Sequence, residues 1–271
     1  MPDFFKPELE RVSPEWTPDA PERVGAFFTC RTGGVSSGPW GGPEGIMGFN
    51  LADHTGDNAS CVRMNRSILA QMLPAEPKWL RQVHGAAVVC ADGIDPAQPP
   101  EADASYTKTP GVVCCVMTAD CLPVLLADKR GRIVAAVHAG WRSLAAGVIQ
   151  KTVEAMRAEV PDLALRAWLG PRIGADDFEV GPEVRDAMLK TLPGAASAFR
   201  PAPAEGKLLG DLAALAREAL AQAGVPAASA ADCGLSTYAD RARFYSFRRD
   251  GEKSGRHAAV IWIEPAAAQA A

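Results

Sequence analysis

"VVCCVMTADCLPVLLADKRGRIVAAVHAG", residues 112–140, decides the architecture of this chain. Three apolar runs, 112–119, 122–128 and 133–140, are separated by "DC" and by the turn "KRGR". Each is a near-continuous stretch of apolar side chains rather than an alternating one. Runs of this length bounded by turn residues read as strands covered on both faces. Helices must then be present to cover them. "WRSLAAGVIQKTVEAMRAEV" (141–160) supplies one: it is amphipathic, rich in Ala, Met and Glu, and ends at Pro161.

Working outward, "VGAFFTC" (24–30) reads as a strand running into the glycine-rich loop 31–45, a segment suited to wrapping a site. The next helix takes Asp57 or Asn58 as its N-cap and presents Val62, Ile68, Leu69 and Met72 as its apolar face. "KWLRQVHGAAVVCA" (78–91) predicts two short strands with His84-Gly85 at their junction, followed by a polar, proline-bearing loop over 92–111. "LRAWLGP" (165–171) is a further strand, and 181–192 and 208–224 are helices, the second closed by Gly224 and Pro226. The stretch 243–265 predicts a strand, a hairpin-like turn at Asp250-Gly251 and a final strand; the alanine-rich 266–271 reads as frayed. No Pro-, Gly- or Ser-rich linker divides the chain. A single α+β domain, with helices covering mixed sheets, is the expected architecture over 1–271.

The 271 residues are 48% hydrophobic and 22% charged, enough for a full core, and the net charge of −4 provides no uniform positive field for nucleic acid or an anionic membrane. Residues 1–16 carry early acids and prolines and read as neither signal peptide nor anchor, which predicts a cytoplasmic protein without membrane partners. Seven cysteines, at 30, 61, 90, 114, 115, 121 and 233, show no disulfide framework and no CxxC pair; most read as buried thiols. Only four histidines are present, at 54, 84, 138 and 257, too few for the several copper centres of a multicopper oxidase.

Cys121 and His138 stand out because buried strands seldom need a thiol and an imidazole at their ends. Folding the chain back about "DKRGR" brings them to the same end of one hairpin, within a residue or two of each other. That placement fits a core thiol with a satisfied histidine, a nucleophile with its base, or two ligands of one zinc. His84 is the best third ligand, ahead of His54 and His257; a Cys–His–His set leaves a fourth position open. Asp120 can orient an imidazole, relay a proton or cap a turn. Gly140 and Arg142, where the next helix begins, read either as an anion-attracting end or, for Arg142, as a solvated helix residue. Arg248 and Arg249 read as a second basic spot or as surface charges flanking a turn.

Seven motifs in order, "RTGGVS" (31–36), "NLADHTGD" (50–57), "RQVHG" (81–85), "TADCLPVLLAD" (118–128), "AVHAGWRS" (136–143), "LGPRIG" (169–174) and "RFYSFRRDGEKSGR" (243–256), resemble the YfiH-like family, whose members carry laccase-domain, polyphenol oxidase, purine nucleoside phosphorylase and peptidoglycan editing factor labels. The match runs from about 24 to 263, leaving 1–20 and 265–271 as peripheral tails. The resemblance implies an α/β/β/α sandwich and a zinc held by His84, Cys121 and His138. It implies phosphorolysis of adenosine, inosine and methylthioadenosine, with adenosine deamination. On this reading Cys121, His138, His84 and Asp120 carry the chemistry, while Arg142, Gly140, Arg248 and Asn50 bind nucleoside and phosphate. The chain departs from the family's usual residues at Cys30, Ser143, Ser236 and Ser254, all exchanges of one small side chain for another. The alternative is a cysteine amidase, with Cys121 as nucleophile and His138 as base, acting on a cell-wall peptide precursor. A third reading is a ligand-sensing protein whose metal is structural.

Overall fold

The computed structural model describes residues 9–265. In chain order its elements are β1 (Arg11–Val12), β2 (Val24–Thr29), β3 (Thr32–Ser36), α1 (Ala59–Ala70), β4 (Val88–Cys90), β5 (Ala104–Thr107), β6 (Val113–Thr118), β7 (Leu122–Asp128) and β8 (Val134–Ala139). There follow α2 (Trp141–Ala145), α3 (Val148–Glu159), β9 (Leu165–Leu169), β10 (Glu179–Val180), α4 (Pro182–Thr191), β11 (Phe199–Pro201), β12 (Leu208–Gly210), α5 (Leu212–Gln222), β13 (Ala230–Asp232), α6 (Phe247–Asp250) and β14 (His257–Ile263). A six-stranded mixed sheet, β13-β9-β7-β8-β5-β4, faces a four-stranded sheet, β1-β2-β14-β6, and a small three-stranded sheet, β10-β12-β11, stands apart.

The side-chain parity of β7 and β8 builds the layers. Leu122, Val124 and Leu126, with Ala135, Val137 and Ala139, point to one side and pack on Val148, Val153 and Leu215 of α3 and α5. Leu125, Ala127, Val134 and Ala136 point to the other and meet Phe28, Val116 and Ile261 of the four-stranded sheet. That sheet's outer face, through Phe27, Val113 and Val260, is covered by Leu69 and Ile68 of α1. The result is an α/β/β/α sandwich; of the three apolar runs, β7 and β8 are neighbours at the centre of the six-stranded sheet and β6 ends the four-stranded one, and all three are buried throughout.

Several expectations are corrected. The helix expected over 208–224 begins only at Leu212, because Leu208–Gly210 is strand β12, and the loop expected over 31–45 contains β3. The helix of 141–160 is two helices, because Gly147 takes a left-handed conformation (φ 78°) between α2 and α3. The first strand expected within 78–91 is absent, and only isolated bridges at Lys78 and Arg81 stand in its place. Conversely, the loop over 92–111 contains β5, which pairs with β8. The segment before β14 is not a hairpin: α6 and a 3-10 turn over Gly251–Lys253 replace it, capped by Ser246, whose hydroxyl accepts the Arg249 N–H. Of the seven cysteines, three are buried (Cys30, Cys114 and Cys115), and all seven are free thiols. Residues 9–20 are tied down, with β1 pairing on β2 and Asp19 meeting Arg166 and Lys129. Residues 266–271 lie outside the described residues. The N-cap of α1 is Asn58, whose side chain accepts the Ser60 N–H.

His257 opens β14 fully buried, and its Nε2 accepts the Tyr245 N–H at 2.8 Å. Burial holds its pKa down at about 3. A histidine that stays neutral when folded but takes a proton when unfolded stabilises the fold fully above its ordinary pKa of ~6.5. Stability should therefore fall by up to ~1.4 kcal/mol per pH unit from ~6.5 toward 3. Urea unfolding of wild type and His257→Gln at pH 7, 5 and 4 should show this extra slope in wild type only.

Candidate metal centre and cleft

Strand register places the chemistry. Pro123 pairs with His138 and Leu122 with Ala139, so Cys121 comes just off the end of β7 beside the end of β8. By parity both side chains lie on the face turned toward the other sheet, at the end where the two sheets part. Ala104 pairs with Val137, which puts Asp103 opposite His138 on the other flank of β8. The turn bearing His84 closes over these three.

The Cys121 Sγ lies 3.9 Å from His84 Nε2, and the two imidazole rings meet edge to face with centroids 4.8 Å apart. One donor atom from each of His84, Cys121 and His138 falls within 4.8 Å of the others, the one such group of three or more His, Cys or acidic residues among the described residues. Gly140 makes room: a Cβ there would stand 2.9 Å from Cys121 Sγ and 3.3 Å from His84 Cδ2.

Asp103, fully buried, organises the cluster. Its Oδ1 bonds His138 Nδ1 at 2.8 Å and accepts the His84 N–H at 3.0 Å; its Oδ2 accepts the N–H groups of Gly85 (2.6 Å) and Val83 (3.3 Å). These bonds hold His84 at φ 59°, a left-handed conformation uncommon outside glycine. One carboxylate thus orients an imidazole on one strand and a strained turn on another. Sequence reading missed Asp103 because it falls in the stretch taken for a loop.

Burial by itself would raise the Cys121 thiol, but His138 and His84 outweigh it and bring the pKa down to about 6. His138 moves the other way: burial lowers it, while Cys121 and Asp103 raise it to about 9. The metal-free cluster therefore carries a thiolate at neutral pH, whereas burial pushes Cys233 up to about 11 and Cys30 and Cys114 up to about 12. In metal-stripped protein, iodoacetamide should label Cys121 at a rate that is level above pH 7 and falls as pH drops through about 6, as mass mapping can follow.

The cluster lines a cleft of about 1110 Å³ shared with Trp141, Phe178, Phe247 and several arginines. Arg142 stacks on Trp141 (4.4 Å) and Arg248 lies over Phe178 (5.8 Å), both at the exposed rim. Asp120, at φ 88°, spends its carboxylate on the Thr237 hydroxyl (2.7 Å), the Ser246 hydroxyl (2.9 Å) and the Arg248 N–H (2.6 Å). It anchors α6 to the Cys121 turn, and the imidazole-orienting carboxylate is Asp103 instead. Asn50 is buried and does not line the cleft; its Oδ1 accepts the N–H groups of Ala52 (3.1 Å) and Arg256 (2.9 Å). Of the other histidines, His54 is exposed at the cleft's edge and His257 is bonded to the Tyr245 backbone.

These features define a class: a two-sheet sandwich with one Cys–His–His cluster at the parted ends of its sheets, opening on an arginine- and aromatic-lined cleft. Residues 25–264 match the family described as multi-copper polyphenol oxidoreductase laccase. The chain is 45% identical over 253 residues to the purine nucleoside phosphorylase PA4543 of Pseudomonas aeruginosa, covering 93% of this chain and 98% of the relative. It is 44% identical over 254 residues to the purine nucleoside phosphorylase YfiH of Escherichia coli, with coverage of 93% and 98%. The crystal structure of Neisseria meningitidis NMB0706 superposes with a TM-score of 0.84 at 44% identity, covering 94% of this chain and 99% of that one. That of YlmD from Geobacillus stearothermophilus gives 0.82 at 27% identity, covering 94% and 100%. The chain belongs to the YfiH-like family. Among the described residues no helix is long and apolar enough to cross a membrane.

Proposed function

We propose that this protein is a zinc-dependent purine nucleoside phosphorylase of the cytoplasm, acting on adenosine, inosine and methylthioadenosine and also deaminating adenosine. The observation that carries the reading is the Cys–His–His cluster on the wall of a cleft that also presents arginines and aromatic rings. The phosphorylase names of relatives 40–45% identical along nearly the whole chain support it.

The donor set fits zinc. One thiolate and two imidazoles are its ordinary ligands, and His138 gives its remaining ring N–H to a carboxylate, as metal-bound histidines do. Zinc held by His84, Cys121 and His138 would supply Lewis acidity and an acidified water. Copper chemistry of the multicopper type fits poorly, since only two histidines remain, His54 exposed at the cleft's edge and His257 buried and bonded to the Tyr245 backbone.

The protein's own residues do the rest. Asp103 fixes the His138 ring and the His84 turn, so that the cluster is organised before substrate arrives. Trp141, Phe178 and Phe247 offer apolar surface to a purine, and Arg142, Arg248 and the backbone at Gly140 attract phosphate. In phosphorolysis a phosphate oxygen forms a bond to ribose C1′ as the C1′–N9 bond breaks; the base leaves with the bonding pair and takes up a proton. Product analysis of zinc-loaded protein tests this. Inosine should yield hypoxanthine and ribose-1-phosphate only when phosphate is present, and adenosine should yield inosine without it. Absence of ribose-1-phosphate from all three nucleosides would overturn the assignment.

A further inference from the structure

Three arginines of the cleft, Arg142, Arg248 and Arg256, have no carboxylate partner within 4.0 Å among the described residues, whereas Arg66 and Arg81 are paired with Asp53 and Glu101. Arg142 and Arg248 are exposed, where water solvates their charge. Arg256 differs, because it is half-buried and burial lowers its pKa. The negative groups near it are Cys121 and Asp120, and both are committed, the first to the imidazoles and the second to Thr237, Ser246 and the Arg248 N–H. A guanidinium partly withdrawn from water without a dedicated counter-charge favours an anion beside it.

The side chain is also held. Its Nη1 donates to the carbonyls of Ser254 (2.7 Å) and Gly255 (3.0 Å), and its guanidinium lies 5.6 Å from the centre of the Phe247 ring. Its backbone N–H is fixed by Asn50 Oδ1 at 2.9 Å. No protein acceptor among the described residues engages Nε or Nη2. That edge presents two parallel N–H groups, the fork that receives two oxygens of one phosphate.

We propose that Arg256 seats the phosphate co-substrate beside the Cys–His–His cluster, with Asn50 and Phe247 as positioning residues. This gives the buried Asn50 a role that sequence reading had placed in the ligand's own shell. The assignment rests on the phosphorolysis reading for its biological meaning, but its binding test does not need turnover.

Inorganic phosphate is titrated into zinc-loaded wild type, Arg256→Gln and Arg256→Lys and followed by calorimetry, with thermal melting as a check on folding. Wild type should bind one phosphate, and Arg256→Gln should bind about 30-fold more weakly, the loss expected for one charge-assisted bidentate contact. In turnover the same variant should raise the phosphate KM about 30-fold and leave the inosine KM within about 3-fold of wild type. Equal phosphate affinity in wild type and Arg256→Gln, or no phosphate binding by wild type, overturns the proposal. Should Arg256→Gln fail to fold, Arg256→Lys carries the test: weakening of about 5-fold or more supports the bidentate seat, and unchanged affinity sinks it. Phosphate bound through Arg256 by a protein that cleaves no nucleoside would refute phosphorolysis while leaving the anion site standing.

Discussion

Asp103→Ala is expected to lose about 3–5 kcal/mol of stability and at least about 100-fold in zinc affinity. The stability loss follows from the count of orphaned donors. Three backbone N–H groups, of Val83, His84 and Gly85, and the His138 Nδ1 all end on this one buried carboxylate. Removing it leaves the buried His138 ring and three part-buried backbone N–H groups without their acceptor, at about 1–3 kcal/mol for each donor that water does not reach. The loss of affinity has a separate origin: without Asp103 the His84 turn no longer needs φ 59° and the His138 ring is free to rotate. Asp103→Asn separates the two effects. It keeps the shape and one acceptor, so it should melt closer to wild type while still losing about 10–100-fold in zinc affinity. Urea unfolding and competition with a chelator of known affinity measure the two quantities independently. Wild-type zinc affinity in Asp103→Ala would show that the carboxylate does not organise the cluster.

Cys121→Ala should give the second large effect, a fall of about 1,000-fold or more in kcat/KM together with loss of stoichiometric zinc. The thiol is partly exposed at the end of β7 and supports little packing, so the variant should fold with a melting temperature near that of metal-free wild type. Comparison with the metal-free protein matters, because a metal held by His84, Cys121 and His138 would stabilise the fold by mass action. Residual phosphorolysis above about 10% of wild type would remove Cys121 from the reaction.

The layers of the fold were legible because the pattern of the opening stretch is physically unambiguous. A run such as "LPVLLAD" has no polar face and belongs inside. The ends of β7 and β8 were legible too, since a four-residue turn fixes how far apart Cys121 and His138 lie. What failed were features set by partners distant in the chain. Ala104–Thr107 is a strand because β8 lies beside it, and nothing local in "EADASYT" says so. Asp103 was lost with it. Asp120 stands next to Cys121 in sequence, which made it the natural candidate for orienting an imidazole, yet its left-handed backbone turns the carboxylate toward Thr237 and Ser246. Arg256 closes the last of the seven motifs, yet nothing in the sequence singles it out from its neighbours Arg248 and Arg249, because its isolation depends on which acids fail to reach it. The helix break at Gly147 was open to detection, as a glycine within an otherwise helical pattern.

The position of β14 bears on biosynthesis. It fills the slot between β2 and β6, so both strands wait with bare edges until the ribosome has delivered residues 257–263. Up to that moment the nascent chain offers two sticky borders to other chains, a situation in which chaperone holding is valuable. Arg256 sits immediately ahead of that closing strand. A product that stops short of residue 256 would therefore lack both Arg256 and the strand that joins β2 to β6.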